Sequence, residues 1–276
     1  MRCLASSHAR ELSAMSLSAR LRRDTERPPV FVGGLPIEAL SLEETADAFV
    51  DYCLSPERER AARPLYSTSV NGQVISLCAR DPQVSELIGA ADSINADGQP
   101  MVTLSRYLAR APLPERVATT DLFPEVAKRA ARAGLTFYIL GASERVNRAA
   151  TQEIARLYPD LHIVGRRNGY FARETEAEVC SKIAELKPDI LWVSLGCPLE
   201  QEFVARNLDR LAGVGIVKTA GGLLDFLSNE KARAPSWMQR LGVEWLFRTW
   251  LEPRRLGWRY MTTNPHALYV MLTSMR

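Results

Sequence analysis

The chain has 276 residues, 46% of them hydrophobic and 24% charged, with 35 Lys+Arg against 32 Asp+Glu for a formal net charge of +3. This composition excludes collagen-like, disordered and disulfide-scaffold classes, and the length allows one large α/β domain with an appendage or two modest domains. Residues 1–29 carry six arginines against Glu11, Asp24 and Glu26, and residues 231–276 carry Lys231 and seven arginines against Glu244 and Glu252; an acidic body between basic ends points to an anionic partner surface met by the termini.

Residues 1–29, rich in Ser and Arg and closing on Pro28-Pro29, read as a mobile extension. VFVGG (30–34) reads as a strand, and SLEETADAFVDYC (41–53) as a helix opened by Ser41 and Glu44 in capping-box spacing. Alternation continues with LYSTSV (65–70) as strand, NGQVISLCAR as helix, SINA (93–96) as strand and MVTLSRYLA as helix. LTFYILG (135–141), LHIVG (161–165), DILWVSLG (189–196) and GVGIVKTAG (213–221) follow as strands, separated by helices through SERVNRAATQEIARLY, TEAEVCSKIAELK and EQEFVARNL. Strands that are continuously apolar suit a parallel sheet covered on both faces. The expected fold is α/β, a Rossmann-like, mostly parallel sheet sandwiched by helices. Residues 30–235 would form the catalytic body and 236–276 a basic, Trp-rich helical appendage.

In such sheets ligands bind beyond the carboxyl ends of the strands. Four strand ends carry conspicuous groups: Ser69 and Asn71, Asn95 with Asp97-Gly98, Gly196 with Glu200 and Gln201, and Gly141-Ala142-Ser143. Asp97 on a tight turn could serve as general base toward a hydroxyl, a role worth roughly 10² to 10⁴ in rate; the alternative is that it caps the following helix. Gln201 offers both donor and acceptor, and the competing reading of its segment is a helix start with acidic residues in the first turn. Gly141 precedes a helix N-terminus able to hold a phosphate.

His8, His162 and His266 form no ligand cluster or triad, and no Asp-x-Asp pair is present to grip a nucleotide-bound cation. A bound diphosphate would then be met by Arg116 or the arginines beyond residue 231. The five cysteines are scattered without a CxxC pair, which fits a reducing cytoplasm. Neither a secretory signal nor an apolar run long enough to span a bilayer is readable.

Trp237, Trp245, Trp250 and Trp258 cluster near the C-terminus. As one helix, 237–252 sets Arg240, Glu244, Arg248 and Glu252 in a charged row beside broad apolar rows. That face is packed in protein or at an oligomer interface, or laid against lipid with Trp at the interface and Arg toward head groups. Pro253 ends the helix, and RRLGWRY opens a second basic, aromatic element.

In order along the chain stand SVNGQ at 69, NADGQP at 95, PLPERVATTDL at 112, YILGA at 138, YPDLHIVGRRNGYF at 158, SLGCPLEQEF at 194, TAGGLLDFLSNEKARAPSWMQRLGVEWLFR at 219 and EPRRLGWRY at 252. In these blocks the chain resembles the WecG/TagA/CpsF glycosyltransferases (glycosyltransferase family 26). The resemblance implies an inverting, metal-independent transferase that moves N-acetylmannosamine, its uronate, glucose or glucuronate from a UDP-sugar to a polyprenyl-diphosphate-linked saccharide. It implies work in bacterial cell-surface polysaccharide synthesis, peripheral on the cytoplasmic membrane's inner, anionic face, with no nucleic-acid partner, no cofactor, and homo-oligomerisation left open. It assigns Asp97 as base and matches the family's Thr-x-Asn pair to Ser69 and Asn71. The family's donor-site Gln falls on Gln201 or, through one extra residue, Glu200; Leu224 replaces a Phe. The C-terminal appendage supplies Arg254, Arg255 and Arg259. Readings from other classes are an NAD-dependent oxidoreductase, whose glycine fingerprint VFVGGLPIEAL does not supply, and a nucleotide- and membrane-binding scaffold without catalysis.

Overall fold

The computed structural model describes residues 27–276 apart from 231–233, 236 and 239–242; the side chains of Arg248 and Arg255 also lie outside the described set. Most of the expected N-terminal extension, residues 1–26, is therefore outside the described residues. Arg27 pairs with Glu44, the residue that completes the capping box with Ser41 on α1 (Leu42–Leu54).

Six parallel strands form one sheet in the order β4-β3-β8-β7-β5-β6: β3 Leu65–Val70, β4 Ser93–Ala96, β5 Thr136–Gly141, β6 His162–Arg167, β7 Ile190–Ser194 and β8 Ile216–Thr219. Helices cover both faces, as parallel strands require. Three core clusters result, the largest built round Phe123, Phe137 and Trp192, with ring centroids 4.9 to 5.9 Å apart.

The sequence reading passed over the short helices Pro56–Arg60, Pro82–Gly89 and Leu223–Leu227, and two larger features depart from it. VFVGG does not join the parallel sheet: β1 (Val30–Val32) pairs antiparallel with β2 (Leu35–Ile37), because Gly33 and Gly34, both at positive φ, turn the chain back at once. The chain between NADGQP and LTFYILG holds a long helix, Thr119–Ala133, here α6, whose apolar stripe packs on α1 despite Pro124 inside it. Between α1 and α6 lie α2 (Pro56–Arg60), α3 (Gly72–Cys78), α4 (Pro82–Gly89) and α5 (Gln99–Leu108). After α6 come α7 (Glu144–Leu157), α8 (Glu176–Leu186), α9 (Leu199–Asn207), α10 (Leu223–Leu227), α11 (Glu244–Leu251) and α12 (Pro253–Ser274).

Among the described residues α11 gives way to α12 at Pro253, and α12 is not merely an outlying arm. Ala267, Val270, Met271 and Met275 are buried in the cluster that includes Val74 and Ile75 of α3. Ser76 Oγ lies 2.9 Å from His266 Nδ1. The chain end closes on the start of the body: Phe31 and Arg276 exchange both backbone hydrogen bonds, at 2.9 and 3.1 Å. Among the described residues no helix is long and apolar enough to cross a membrane.

Candidate active site

The centre of the sheet is polar where its neighbours are apolar. Strand β3 reads LYSTSV, and its register places Ser67 beside Lys218 of β8 and Ser69 beside Asn95 of β4. Parallel neighbours share a face, so Ser67, Ser69, Asn95 and Lys218 lie together on one side. Lys218 Nζ donates to Ser69 Oγ at 2.7 Å, Thr119 Oγ1 of α6 donates to the same oxygen at 3.2 Å, and Ser67 Oγ donates to Asn95 Oδ1 at 3.4 Å. On the opposite side Thr219 Oγ1 donates to Thr68 Oγ1 at 2.7 Å, and Gln201 Nε2 reaches that oxygen at 3.3 Å.

Above this layer the strands end. Asn71 leaves β3 in extended conformation and caps α3, its Oδ1 accepting from Val74 N–H. Asp97 leaves β4 with its N–H on the Val70 carbonyl at 2.8 Å, which sets it beside Asn71. The helix-cap alternative for Asp97 is not what forms: Gly98 stands at the N-cap of α5, without a side-chain cap bond. Val117 N–H donates to the Ala96 carbonyl at 2.8 Å, drawing the PLPERVATT loop alongside the Asp97 turn.

The GCPLEQE segment separates the roles of Glu200 and Gln201. Glu200 is buried, and its carboxylate accepts from Gly196 N–H at 3.1 Å and Gly221 N–H at 2.9 Å, clamping two glycine loops together. Gln201 sits beneath them, 1% exposed, with Oε1 lacking a partner among the described residues. Asn95, also 1% exposed, leaves its Nδ2 equally unpartnered. Buried polar atoms are nearly always paired, so these two, one on each side of the sheet, stand out near the strand ends.

Burial sets the charge states of two groups here. It pushes the Glu200 carboxyl up to about 7 against the opposing pull of the Gly221 and Gly196 amides and Lys218. It pulls the Lys218 ammonium down to about 7 against the attraction of Asp97 and Glu200. Desolvation dominates in both. Cys197, in the same loop, is pushed up to about 12 by burial and at neutral pH is a thiol, not a nucleophile.

A cleft of about 320 Å³ opens beside this cluster. Asn71 and Gln73 form one wall, Gly196-Cys197 and Gly221-Gly222 another, and Asp225 and Phe226 of α10 with Leu256 and Arg259 of α12 close it. The Arg259 guanidinium lies over the Tyr260 ring at 4.9 Å, and its Nε is buried without a partner among the described residues.

The structure thus brings together Ser69, Asn71, Asn95, Asp97, Glu200, Gln201 and Arg259. It employs Arg116 otherwise than as a free diphosphate ligand: Arg116 bonds Asp121 at 2.9 Å and Glu244 of α11 at 3.3 Å, tying the C-terminal helices to the body. Glu244 accordingly pairs with the loop before α6; the row-mate Arg240 and the Arg248 side chain lie outside the described residues. Gly141 is at φ +131°, and a Cβ there would come within 2.2 Å of the Ser194 carbonyl oxygen, so close strand packing requires it. The hydroxyl of Ser143 caps α7 through Val146 N–H. Arg254 is exposed outside the cleft lining, and the Arg255 side chain is outside the described residues.

Sequence reasoning passed over Lys218, Thr68, Thr119 and Thr219. The signal for Lys218 was present: a charge inside an otherwise apolar strand, GVGIVKTAG, is costly unless paired.

A sequence model described as the glycosyl transferase WecG/TagA/CpsF family matches residues 30–276. Among curated proteins the chain is similar to the N-acetylglucosaminyldiphosphoundecaprenol N-acetyl-beta-D-mannosaminyltransferase of Bacillus subtilis, 31% identical over 225 residues, 81% of this chain and 85% of the relative. The Bacillus spizizenii protein of the same name is 29% identical over 76% of this chain and 80% of its own length. One from Staphylococcus aureus strain MRSA252 is 28% identical over 70% and 74%.

Proposed function

Because the chain belongs to the glycosyl transferase WecG/TagA/CpsF family, we propose that it moves a hexose-type sugar from a UDP-sugar to a polyprenyl-diphosphate-linked saccharide in building a bacterial surface polymer. The observation that carries this reading is Asp97, held at a strand end beside Asn71, the cleft and a buried polar network. The relatives named above make N-acetylmannosamine the first donor to test, with an N-acetylglucosaminyl-diphosphate lipid as acceptor.

In the reaction, Asp97 accepts the proton of the acceptor hydroxyl as that oxygen attacks the anomeric carbon and the bond to UDP breaks. Attack from the face opposite an α-linked UDP gives a β linkage. The departing diphosphate gathers negative charge, which Arg259 of the cleft lining and the dipole of α9 would meet without a metal ion. Gln201 and Asn95, each with an unpaired amide atom, supply polar contacts at the cluster.

The test is product analysis after incubation with UDP-N-acetylmannosamine and acceptor: a β-linked disaccharide lipid, formed equally in the presence of EDTA, is expected. An α linkage refutes inversion, and a strict manganese requirement refutes metal independence.

The acceptor's lipid tail sets where the enzyme works. Trp237, Trp250 and Trp258 are 58%, 78% and 74% exposed on the segment that borders the cleft. Exposed tryptophans next to arginines suit the interface of an anionic leaflet, so the protein binds the cytoplasmic membrane's inner face through this end.

A further inference from the structure

Lys218 has no part in the reaction as written above, yet it is 0% exposed and is, among the described residues, the one lysine or arginine in the buried class. Its Nζ lies 2.7 Å from Ser69 Oγ, which also accepts from Thr119 Oγ1 at 3.2 Å. A hydroxyl oxygen has two lone pairs and one proton. With both lone pairs engaged by Lys218 and Thr119, the Ser69 O–H is left to donate, at the strand end two residues before Asn71. The charges that act on Lys218 are those of Asp97 and Glu200; Glu200 is already engaged by the Gly196 and Gly221 amides.

We propose that Lys218 is a positioning residue for transfer: it fixes Ser69 as a hydrogen-bond donor at the reaction centre and holds the Asp97 carboxylate electrostatically in place as base. The proposal rests on the transferase reading for its effect on rate, but not for its effect on Asp97. A lysine kept only to fill the interior would be replaceable by methionine, of similar length and without a desolvation cost. Here Lys218 Nζ instead bonds Ser69 Oγ, which also accepts from Thr119, at the sheet end where Asp97 leaves β4.

The experiment compares full-length wild type with Lys218→Met, Ser69→Ala and Ser69→Thr, each checked by thermal melting, using UDP-N-acetylmannosamine and the lipid acceptor. Lys218→Met is expected to lower kcat on the order of 10²-fold with KM for the donor changed less than about threefold, the pattern of an interaction made in the transition state. Ser69→Ala should fall similarly, Ser69→Thr should recover most of the activity, and the double variant should lose no more than the worse single one, because the two act as a unit. Should Lys218→Met fail to fold, Ser69→Ala and Ser69→Thr carry the same comparison. Unchanged kcat in Lys218→Met, or no recovery in Ser69→Thr, overturns the proposal.

A second readout needs no turnover. In protein labelled with ¹³C at aspartate carboxyls, with Asp97 assigned through Asp97→Asn, the Asp97 titration is expected to move to higher pH in Lys218→Met, since removing a nearby cation disfavours the carboxylate. An unmoved titration refutes the link to Asp97 whatever the enzyme's substrates. Absence of turnover by wild type on every UDP-sugar, with the titration still moved, refutes the transferase reading and leaves the link standing.

Discussion

At the scale of single residues, the site is a case of polar groups kept where burial costs most. Glu200 and Lys218 lie in the sheet's centre with charge states moved toward neutrality, to about 7 in each case. Their linkage to folding has opposite signs. Between the ordinary carboxyl value of 4.5 and about 7, folded Glu200 holds a proton that the unfolded chain releases, so its contribution to stability falls as pH rises through that window. Between about 7 and the ordinary lysine value of 10.5, the unfolded chain holds a proton that folded Lys218 lacks, so stability from this group recovers as pH rises. Urea midpoints measured from pH 5 to 10 should dip near neutrality, and Glu200→Gln with Lys218→Met should flatten the dip; an unaltered profile in the double variant would assign the dip elsewhere. The Glu144 carboxyl, held at about 2 first of all by Arg166, titrates below this window. Asp97, Ser69 and Asn71 could be singled out in the sequence because they stand at strand ends beside Asn and Gly, though their spacing alone left the role of Asp97 open. Lys218 was not singled out: its chemistry depends on which strand lies next to β3, and β8 is over 140 residues away along the chain.

At the scale of elements, α12 joins two tasks that the sequence reading had kept in one appendage. Its N-terminal half presents Trp258 to solvent and Arg259 to the cleft, while its C-terminal half is core. Met271, 3% exposed, packs in the cluster with Val74 and Ile75, and Met271→Ala should cost about 2–4 kcal/mol in denaturant unfolding; a loss under about 0.5 kcal/mol would mean the helix end is not docked as described. Deleting everything after residue 236 therefore removes core along with cleft wall and does not isolate a membrane role. Arg116→Ala is the milder perturbation, since it cuts the link from body to α11 through Glu244 while leaving the core intact. The strands of the sheet were legible because each is a short, continuously apolar run. The β1-β2 hairpin was not, because three-residue strands carry too little periodicity, and α6 was passed over in a stretch crowded by prolines.

At the scale of the whole molecule, the parallel fold was readable but the strand order was not, since one chain's pattern does not say which strands are neighbours. That order is what assembles the site: β3 lies between β4 and β8, so residues from three strands and α6 meet above one strand end. The net charge of +3 divides into an acidic body and basic ends, and the C-terminal basic end borders the cleft with exposed tryptophans. Binding to vesicles containing anionic phospholipid should weaken as salt is raised from 0.1 to 1 M, where the screening length falls from about 10 to about 3 Å. Trp250→Ser with Trp258→Ser should weaken it further; equal binding to neutral vesicles at high salt would contradict attachment by this end. The most direct measurement of the account is UDP release from UDP-N-acetylmannosamine in the presence of an N-acetylglucosaminyl-diphosphate lipid, by wild type and by Asp97→Asn. The account predicts acceptor-dependent release by wild type, a loss of more than about 10²-fold in the variant, and UDP affinity within about threefold of wild type. Full activity in Asp97→Asn, with the fold intact, would contradict it.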